Sequence, residues 1–402
     1  MTGDRTMGRA GRSKVGGDSS TKLGRQGGAP RRRKALGVGL AVLACSAVGA
    51  ALLVHRSAAP DRPPAGWALA VCDVGQGDGM LLAAGPHAAI VVDTGPEPAA
   101  EDRCLKRFQI TTVPLLVLTH FHADHIGGLS AVLADTRVQE IETTTVDIPP
   151  AGAADVRRQA SAAGVPVHRV TAHERRSFGA VSWQVLWPDP AFPLGPDGSA
   201  PEDHMPGMDM GGGSGDGESP GPNNTSIVMA VTIRAPGPPT DPGPPPTGTA
   251  TPGPTALHLL LTGDIEQPVQ ADLLAVDRAL LRADVLKVPH HGSANQDPDF
   301  VRAVDPTASI ISVGAGNPYG HPVARTLRLM GSTGARLYRT DLDGTVTVAL
   351  PAPGAAGYLV GAEHGDGRPP GSGPGPGASD QATPSRRSAH HRAKGHSRQY
   401  SR

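Results

Sequence analysis

The segment Thr119-His120-Phe121-His122-Ala123-Asp124-His125-Ile126-Gly127-Gly128 gathers three imidazoles and one carboxylate into six residues. Both groups are good ligands for zinc and for manganese. In a turn, His120 and His122 can face one way while Asp124 and His125 face another, which suits two neighbouring ions. A lone histidine is usually structural, but four donors this dense, after an apolar run and before Gly-Gly, mark a metal site. Asp78 lies on the loop Val74-Gly75-Gln76-Gly77-Asp78-Gly79, where glycine lets backbone approach a substrate closely. It is expected to orient a ligand or a water, the alternative being a plain turn carboxylate. His321, in the turn Gly320-His321-Pro322, is a candidate general acid for a leaving oxygen. Lys287 and Arg339 are candidate phosphate contacts, or else solvated cations.

The elements that must position these groups are legible from the apolar pattern. Short apolar runs at 68–73, 80–82, 88–93 and 115–118 predict buried strands, and the last of them runs straight into the histidine cluster. Further strands are expected at 165–170, 181–186, 226–233, 257–262, 285–288, 308–313, 336–339 and 345–350. Helices are expected from 128, over 153–164, over 266–282 and around 322–333. Strands interleaved with a few helices indicate a layered α/β domain over 66–351. Two Gly/Pro-rich insertions, 195–222 and 235–255, are read as flexible loops, and 352–402 as a disordered Gly/Pro-rich and basic tail. His204, Met205, Met208 and Met210 offer donors of a copper-binding kind, but within so Gly-rich a loop they read as a spacer.

Composition sets the limits. The 402 residues include 53 Gly and 41 Pro, roughly twice average usage, without the three-residue glycine period of collagen. The net charge of zero hides a polarity. Residues 1–34 carry ten Lys/Arg and two Asp/Glu, and 385–402 carry six and none. That leaves 37−16 = 21 basic and 37−2 = 35 acidic residues in 35–384, the reverse of the basic field that usually grips nucleic acid. After Arg31-Arg32-Arg33-Lys34, residues 35–54 carry no charge over a length that spans a bilayer. The basic flank places 1–34 as a disordered tail in the cytoplasm, 35–54 as a transmembrane helix and the catalytic domain outside the cell membrane. A cleaved signal peptide is the rival reading, and a lipoprotein signal at Cys45 a weaker one. Outside the cytoplasm, Cys72 and Cys104 are either a disulfide or two buried thiols.

The cluster at His120, His122, Asp124 and His125 resembles the His-x-His-x-Asp-His motif of the metallo-β-lactamase superfamily, and Asp93-Thr94-Gly95 its early strand end. Leu260-Leu261-Thr262-Gly263-Asp264 resembles the strand whose aspartate bridges two metals. Val288-Pro289-His290-His291-Gly292-Ser293 resembles the segment that supplies the last histidine. Together with Cys72–Asp78, Asn223-Asn224-Thr225-Ser226 and Asn317-Pro318-Tyr319-Gly320-His321-Pro322, these pieces are most similar to the hydrolase domain of ComEC-type competence proteins. The resemblance covers about 67–350. It implies an αβ/βα four-layer sandwich with two divalent ions, zinc or manganese. One would be held by His120, His122 and the Asn223/Asn224 region, the other by Asp124, His125 and His290 or His291, with Asp264 shared. Metals of this kind lower the pKa of bound water, so the expected activity is a metal-dependent phosphodiesterase or nuclease linked to DNA uptake. Two departures stand out. ComEC-type proteins usually carry a multi-helix channel, so a separate channel protein is the expected partner. The superfamily's middle histidine also has no counterpart, since His168 and His173 lack its context. Two other readings stay open: the same site acting on a small ester, lactone or envelope phosphodiester, and an anchored binding module without catalysis.

Overall fold

The computed structural model describes residues 63–192, 194–195, 220–234, 256–351 and 357–364. Eight strands come first: β1 (Trp67–Val71), β2 (Gly79–Gly85), β3 (Ala88–Thr94), β4 (Thr112–Val113), β5 (Leu116–Leu118), β6 (Arg137–Val138), β7 (Ile141–Thr143) and β8 (Val167–Arg169). Seven more follow: β9 (Arg175–Phe178), β10 (Val181–Trp187), β11 (Val228–Arg234), β12 (Ala256–Leu261), β13 (Val285–Lys287), β14 (Ala308–Ile311) and β15 (Arg336–Arg339). Finally, β16 (Val346–Ala349) and β17 (Leu359–Ala362) return to the first sheet. That sheet runs β17-β16-β1-β2-β3-β5-β7-β8, with β4 and β6 beside it, and the second runs β15-β14-β13-β12-β11-β10-β9. Each sheet has an antiparallel half and a parallel half. In the first, β3, β5, β7 and β8 are parallel; in the second, β12 to β15 are.

The alternation along single strands explains the layering. In β3, Ile90 and Val92 enter a core between the two sheets, where Val185, Val231 and Leu259 of the second sheet meet them. Ala89 and Val91 face the other way. There they meet helices α1 (Pro98–Arg107), through Cys104 and Leu105, α3 (Leu129–Asp135), through Val132, and α4 (Pro150–Ala163), through Val156. A four-residue helix, α2 (Ala123–Ile126), precedes α3, and a short turn, α5 (Pro220–Asn223), precedes β11. On the second sheet, Leu257, Leu259 and Leu261 of β12 point into the shared core while Leu260 points outward. Leu260 packs with α6 (Gln267–Val276), α7 (Pro298–Val304) and α8 (Ala324–Ser332). The order is therefore helices, sheet, sheet, helices, and strands apolar on both faces are what such a sandwich demands. Each fully buried Val or Leu in it contributes about 1.5–3 kcal/mol.

Several expectations shift. The helix expected over 266–282 ends at Val276 and gives way to a 3₁₀ turn at Arg278–Leu280. The tail expected to be disordered from 352 contains β17, whose Leu359 and Val360 pair with β16. Residues 220–222, placed in a flexible insertion, belong to α5. Cys72 and Cys104 form a disulfide that ties the end of β1 to α1. Among the described residues no helix is long and apolar enough to cross a membrane. The span expected at 35–54 and most of the two insertions lie outside them.

Candidate metal centre

The polar groups gather where the parallel strands of both sheets end, the usual place for a site in open α/β sheets. Asp93 and Thr94 close β3, and Thr119 and His120 follow β5. In the second sheet, Thr262 to Asp264 follow β12, Val288 to His291 follow β13, and Ser312 follows β14. The loop between β1 and β2 brings Asp78 to the same edge. There Asp78 N–H donates to the Asp124 carbonyl at 3.2 Å. Gly77 is required here: its φ is +135°, and a Cβ would come within 2.1 Å of the Asp124 carbonyl oxygen. His290 and His291 both have positive φ, 46° and 50°. Non-glycine residues seldom adopt this conformation, and it costs on the order of 1 kcal/mol or more each. It turns the two neighbouring rings onto different partners.

The donor atoms converge. One ligand atom each from Asp124, His125, Asp264 and His291 lie within 4.8 Å of one another. Asp264 Oδ2 is 3.1 Å from His125 Nε2 and 3.1 Å from His291 Nε2, which is 3.2 Å from Asp124 Oδ2. Beside them His120 Nε2 faces His122 Nδ1 at 3.1 Å. The outer nitrogens of three of these rings are anchored. His125 Nδ1 meets Asp93 Oδ2 at 2.8 Å, His291 Nδ1 meets the Ser312 carbonyl at 2.8 Å, and His120 Nδ1 meets Ser226 Oγ at 3.2 Å. Such partners fix tautomer and ring orientation and leave Nε2 for an ion. Asp93 is held in turn by Thr119, whose N–H and hydroxyl each donate to its carboxylate at 2.8 Å.

The electrostatics read as a cation site. Burial opposes charge on His125, but Asp264, Asp124 and Asp93 outweigh it and hold this imidazole well above its ordinary range. Burial opposes charge on His291 too, yet Asp264 and Asp124 push it to about 9. Asp264 is held well below the carboxylate range, its burial overcome by His291, His125 and Lys287. The carboxylates thus favour positive charge at the place that a divalent ion would take. Burial and the neighbouring His125 and His122 hold His120 well below the imidazole range, so it is a neutral donor. Hard carboxylate oxygens with imidazole nitrogens suit zinc or manganese, and the residues present fit divalent ions.

The expected residues separate into two groups. His120, His122, Asp124, His125, Asp264 and His291 come together. His290 does not join them: its Nδ1 lies 3.3 Å from Glu266 Oε1 and its ring 5.3 Å from that of His321. Asn224 likewise makes its contact elsewhere, while Asn223 engages only its amide nitrogen and keeps its buried Oδ1 without a hydrogen-bond partner among the described residues. Asn223 Nδ2 donates to Glu266 Oε1 at 3.1 Å, and Asn224 Oδ1 accepts from the Glu266 N–H at 3.0 Å. Ser226, from the same segment, is the residue that reaches His120. Asp78 is buried rather than facing a substrate, with Lys287 Nζ 2.5 Å from its Oδ2. Lys287 is equally buried, also reaching the Gly263 carbonyl at 3.1 Å and Asp264 Oδ1 at 3.5 Å, so it cannot contact a phosphate at the surface. Arg339 is taken up by Asp341. His168 and His173 lie apart, near Glu140 and Asp189. The sequence reading missed Glu101, Glu266 and Ser312. Glu101 sits in a charged stretch to which the sequence pattern assigns no element, yet burial and the field of Asp93 raise its carboxyl to about 8.

A layered α/β sandwich with a His/Asp metal site at its strand ends defines a class of metal-dependent hydrolases. The family model of the metallo-beta-lactamase superfamily matches residues 72–314, and the chain belongs to that superfamily. It is similar to ComE operon protein 3 of Bacillus subtilis (strain 168), 26% identical over an alignment of 295 positions that covers 68% of this chain and 32% of that protein. It is also similar to competence protein ComA of Neisseria gonorrhoeae, 33% identical over 93 residues, 23% of this chain and 14% of that one. The chain therefore spans about a third or less of the length of these relatives. Among solved structures it is similar to the metallo-beta-lactamase fold protein YhfI from Bacillus subtilis, with 10% identity, TM-score 0.37, and 67% and 95% of the two chains covered. A diphosphatase of the PhnP family gives 14% identity and TM-score 0.37 over 67% and 94%.

Proposed function

We propose that this chain is an exported, membrane-anchored phosphodiesterase that uses two divalent ions, zinc or manganese, and acts on DNA. The observation that carries the reading is the convergence of Asp124, His125, Asp264 and His291, four donors from both sheets, beside the His120–His122 pair. Bound ions at such a site supply Lewis acidity and lower the pKa of bound water. The chain's own residues then divide the remaining tasks. Asp93, Ser312 and Ser226 orient the imidazoles, and Lys287 holds Asp264 through the oxygen turned away from His125. His321 is the candidate proton donor to the leaving oxygen, with His290 and Glu266 behind it. The competence relatives favour DNA as substrate and a separate channel protein as partner. The Cys72–Cys104 disulfide favours an oxidising compartment and hence export through 35–54.

The excess of acidic residues in 35–384 favours a second reading, in which the same centre cleaves a small ester, lactone or envelope phosphodiester. One experiment separates these. The purified chain is incubated with manganese or zinc and with linear DNA or bis-p-nitrophenyl phosphate, with His122→Ala as control. Degradation of DNA that is lost in His122→Ala supports the nuclease. Turnover of the small diester with DNA untouched supports the second reading. A folded protein that binds no metal and turns over neither is a binding module.

A further inference from the structure

The segment Asn317–Pro322 follows β14, and apart from His321 it has been given no task at the metal centre. It is nonetheless built rigidly and fastened to it. Asn317 Nδ2 donates to the Gly314 carbonyl at 3.0 Å and to the His321 carbonyl at 2.7 Å, while its Oδ1 accepts from the His321 N–H at 3.1 Å. The Val323 N–H donates to the Gly292 carbonyl at 3.0 Å, which ties the loop to the turn carrying His290 and His291. Gly314 N–H donates to Gln76 Oε1 at 3.3 Å, so the loop also abuts the one bearing Asp78.

On this frame the rings form a file from the surface inward. Tyr319 is 36% exposed. Its ring lies nearly parallel to that of His321, at 25° and 6.0 Å between centroids. His321 is buried and stands 5.3 Å from His290, whose ring is 6.1 Å from that of the metal-site His291. Phe178 is the other exposed aromatic among the described residues. It lies at the turn between β9 and β10, beside the end of β2 farthest from the site. An amphipathic ring held flat at the outer end of a file of rings that leads to His291 is a surface for another flat ring.

We propose that Tyr319 is a stacking platform for the nucleobase next to the scissile phosphate, so that the substrate is a single-stranded or frayed nucleic acid read without base preference. The inference rests on the phosphodiesterase reading and extends it to the class of substrate. Its physical basis is that residues 35–384, with 21 basic against 35 acidic side chains, lack the basic excess that usually holds a polyanion. Base–aromatic stacking is worth about 1–3 kcal/mol per base, needs an unstacked base and tolerates any sequence. Backbone charge cannot supply it.

The test uses the full chain with manganese and two oligomers of equal length, an oligothymidylate and an abasic deoxyribose-phosphate chain. Tyr319→Ala and Tyr319→Phe are compared with wild type. The platform predicts a KM for the abasic oligomer roughly 10- to 100-fold above that for oligothymidylate in wild type. Tyr319→Ala erases that ratio and Tyr319→Phe keeps it. Equal KM values for both oligomers in wild type overturn the proposal. So does an equal loss on both oligomers in Tyr319→Ala, which would make Tyr319 only a support for His321. Turnover of bis-p-nitrophenyl phosphate with neither oligomer cleaved overturns the platform while leaving the hydrolase intact, whereas no turnover of any diester removes both.

Discussion

Replacing Glu101 by glutamine is expected to flatten the pH dependence of stability. Glu101 lies on α1 at 0% exposure, and neither of its carboxylate oxygens has a hydrogen-bond partner. Burial, reinforced by the field of Asp93, raises its carboxyl from 4.5 to about 8. Between those two values the unfolded chain releases a proton that the folded chain keeps, so stability falls as pH rises through this window. Integrated from pH 5 to pH 8, a carboxyl moved that far removes roughly 3–4 kcal/mol, a large share of the about 5–15 kcal/mol that holds a typical domain together. Glutamine keeps the shape and never ionises. Its extra N–H adds an offset that is the same at every pH and cancels when two pH values are compared. Denaturant unfolding of both proteins in EDTA at pH 5, 6, 7 and 8 reads the effect, since all other titrating groups are shared. Glu101→Gln should gain roughly 3–4 kcal/mol on wild type between the first and last of these conditions. A difference that stays constant across them would mean that Glu101 ionises as readily folded as unfolded, and the argument from burial would fail.

Three further outcomes follow from the centre itself. Lys287→Met leaves Asp78 buried without its cation, and thermal or denaturant unfolding should show a loss of about 3–5 kcal/mol, much of it restored in Asp78→Asn/Lys287→Met. His291→Ala should lower bound metal measured by elemental analysis, while His290→Ala, whose ring faces Glu266 and His321, should leave the metal content near that of wild type. His291 keeps a proton up to about pH 9 in the metal-free protein, so calorimetry should find metal affinity rising with pH by up to about tenfold per unit for each proton displaced. The stability that this imidazolium lends the metal-free chain has the opposite sense, present below pH 6.5 and lost as pH rises through about 9.

The fold and the heart of the site were legible because both rest on local patterns. Leu116 to Leu118 and Leu259 to Leu261 are apolar on consecutive positions, as strands covered on both faces must be, and the metal donors sit at their ends. What the sequence hid was set by long-range geometry. Nothing in the pair His290-His291 says which ring turns inward; the two positive φ values decide it. Asn224 looks like a ligand until the N–H of Glu266, 42 residues away, takes up its amide oxygen, whereas Asn223 gives Glu266 only its Nδ2. Lys287 reads as a surface cation because its partners, Asp78 and Asp264, arrive from other strands and the opposite sheet. The helix at Pro98–Arg107 was missed for a related reason: its charged residues mask the few apolar ones that pack, and Glu101 itself is buried.

The central claim is that donors from the two sheets form a single cage for catalytic cations. Anomalous diffraction from crystals of the chain grown with manganese tests it most directly. The account predicts one peak bounded by Asp124, His125, Asp264 and His291 and a second beside His120 and His122. Ordered manganese elsewhere, with those six side chains unliganded, would contradict it.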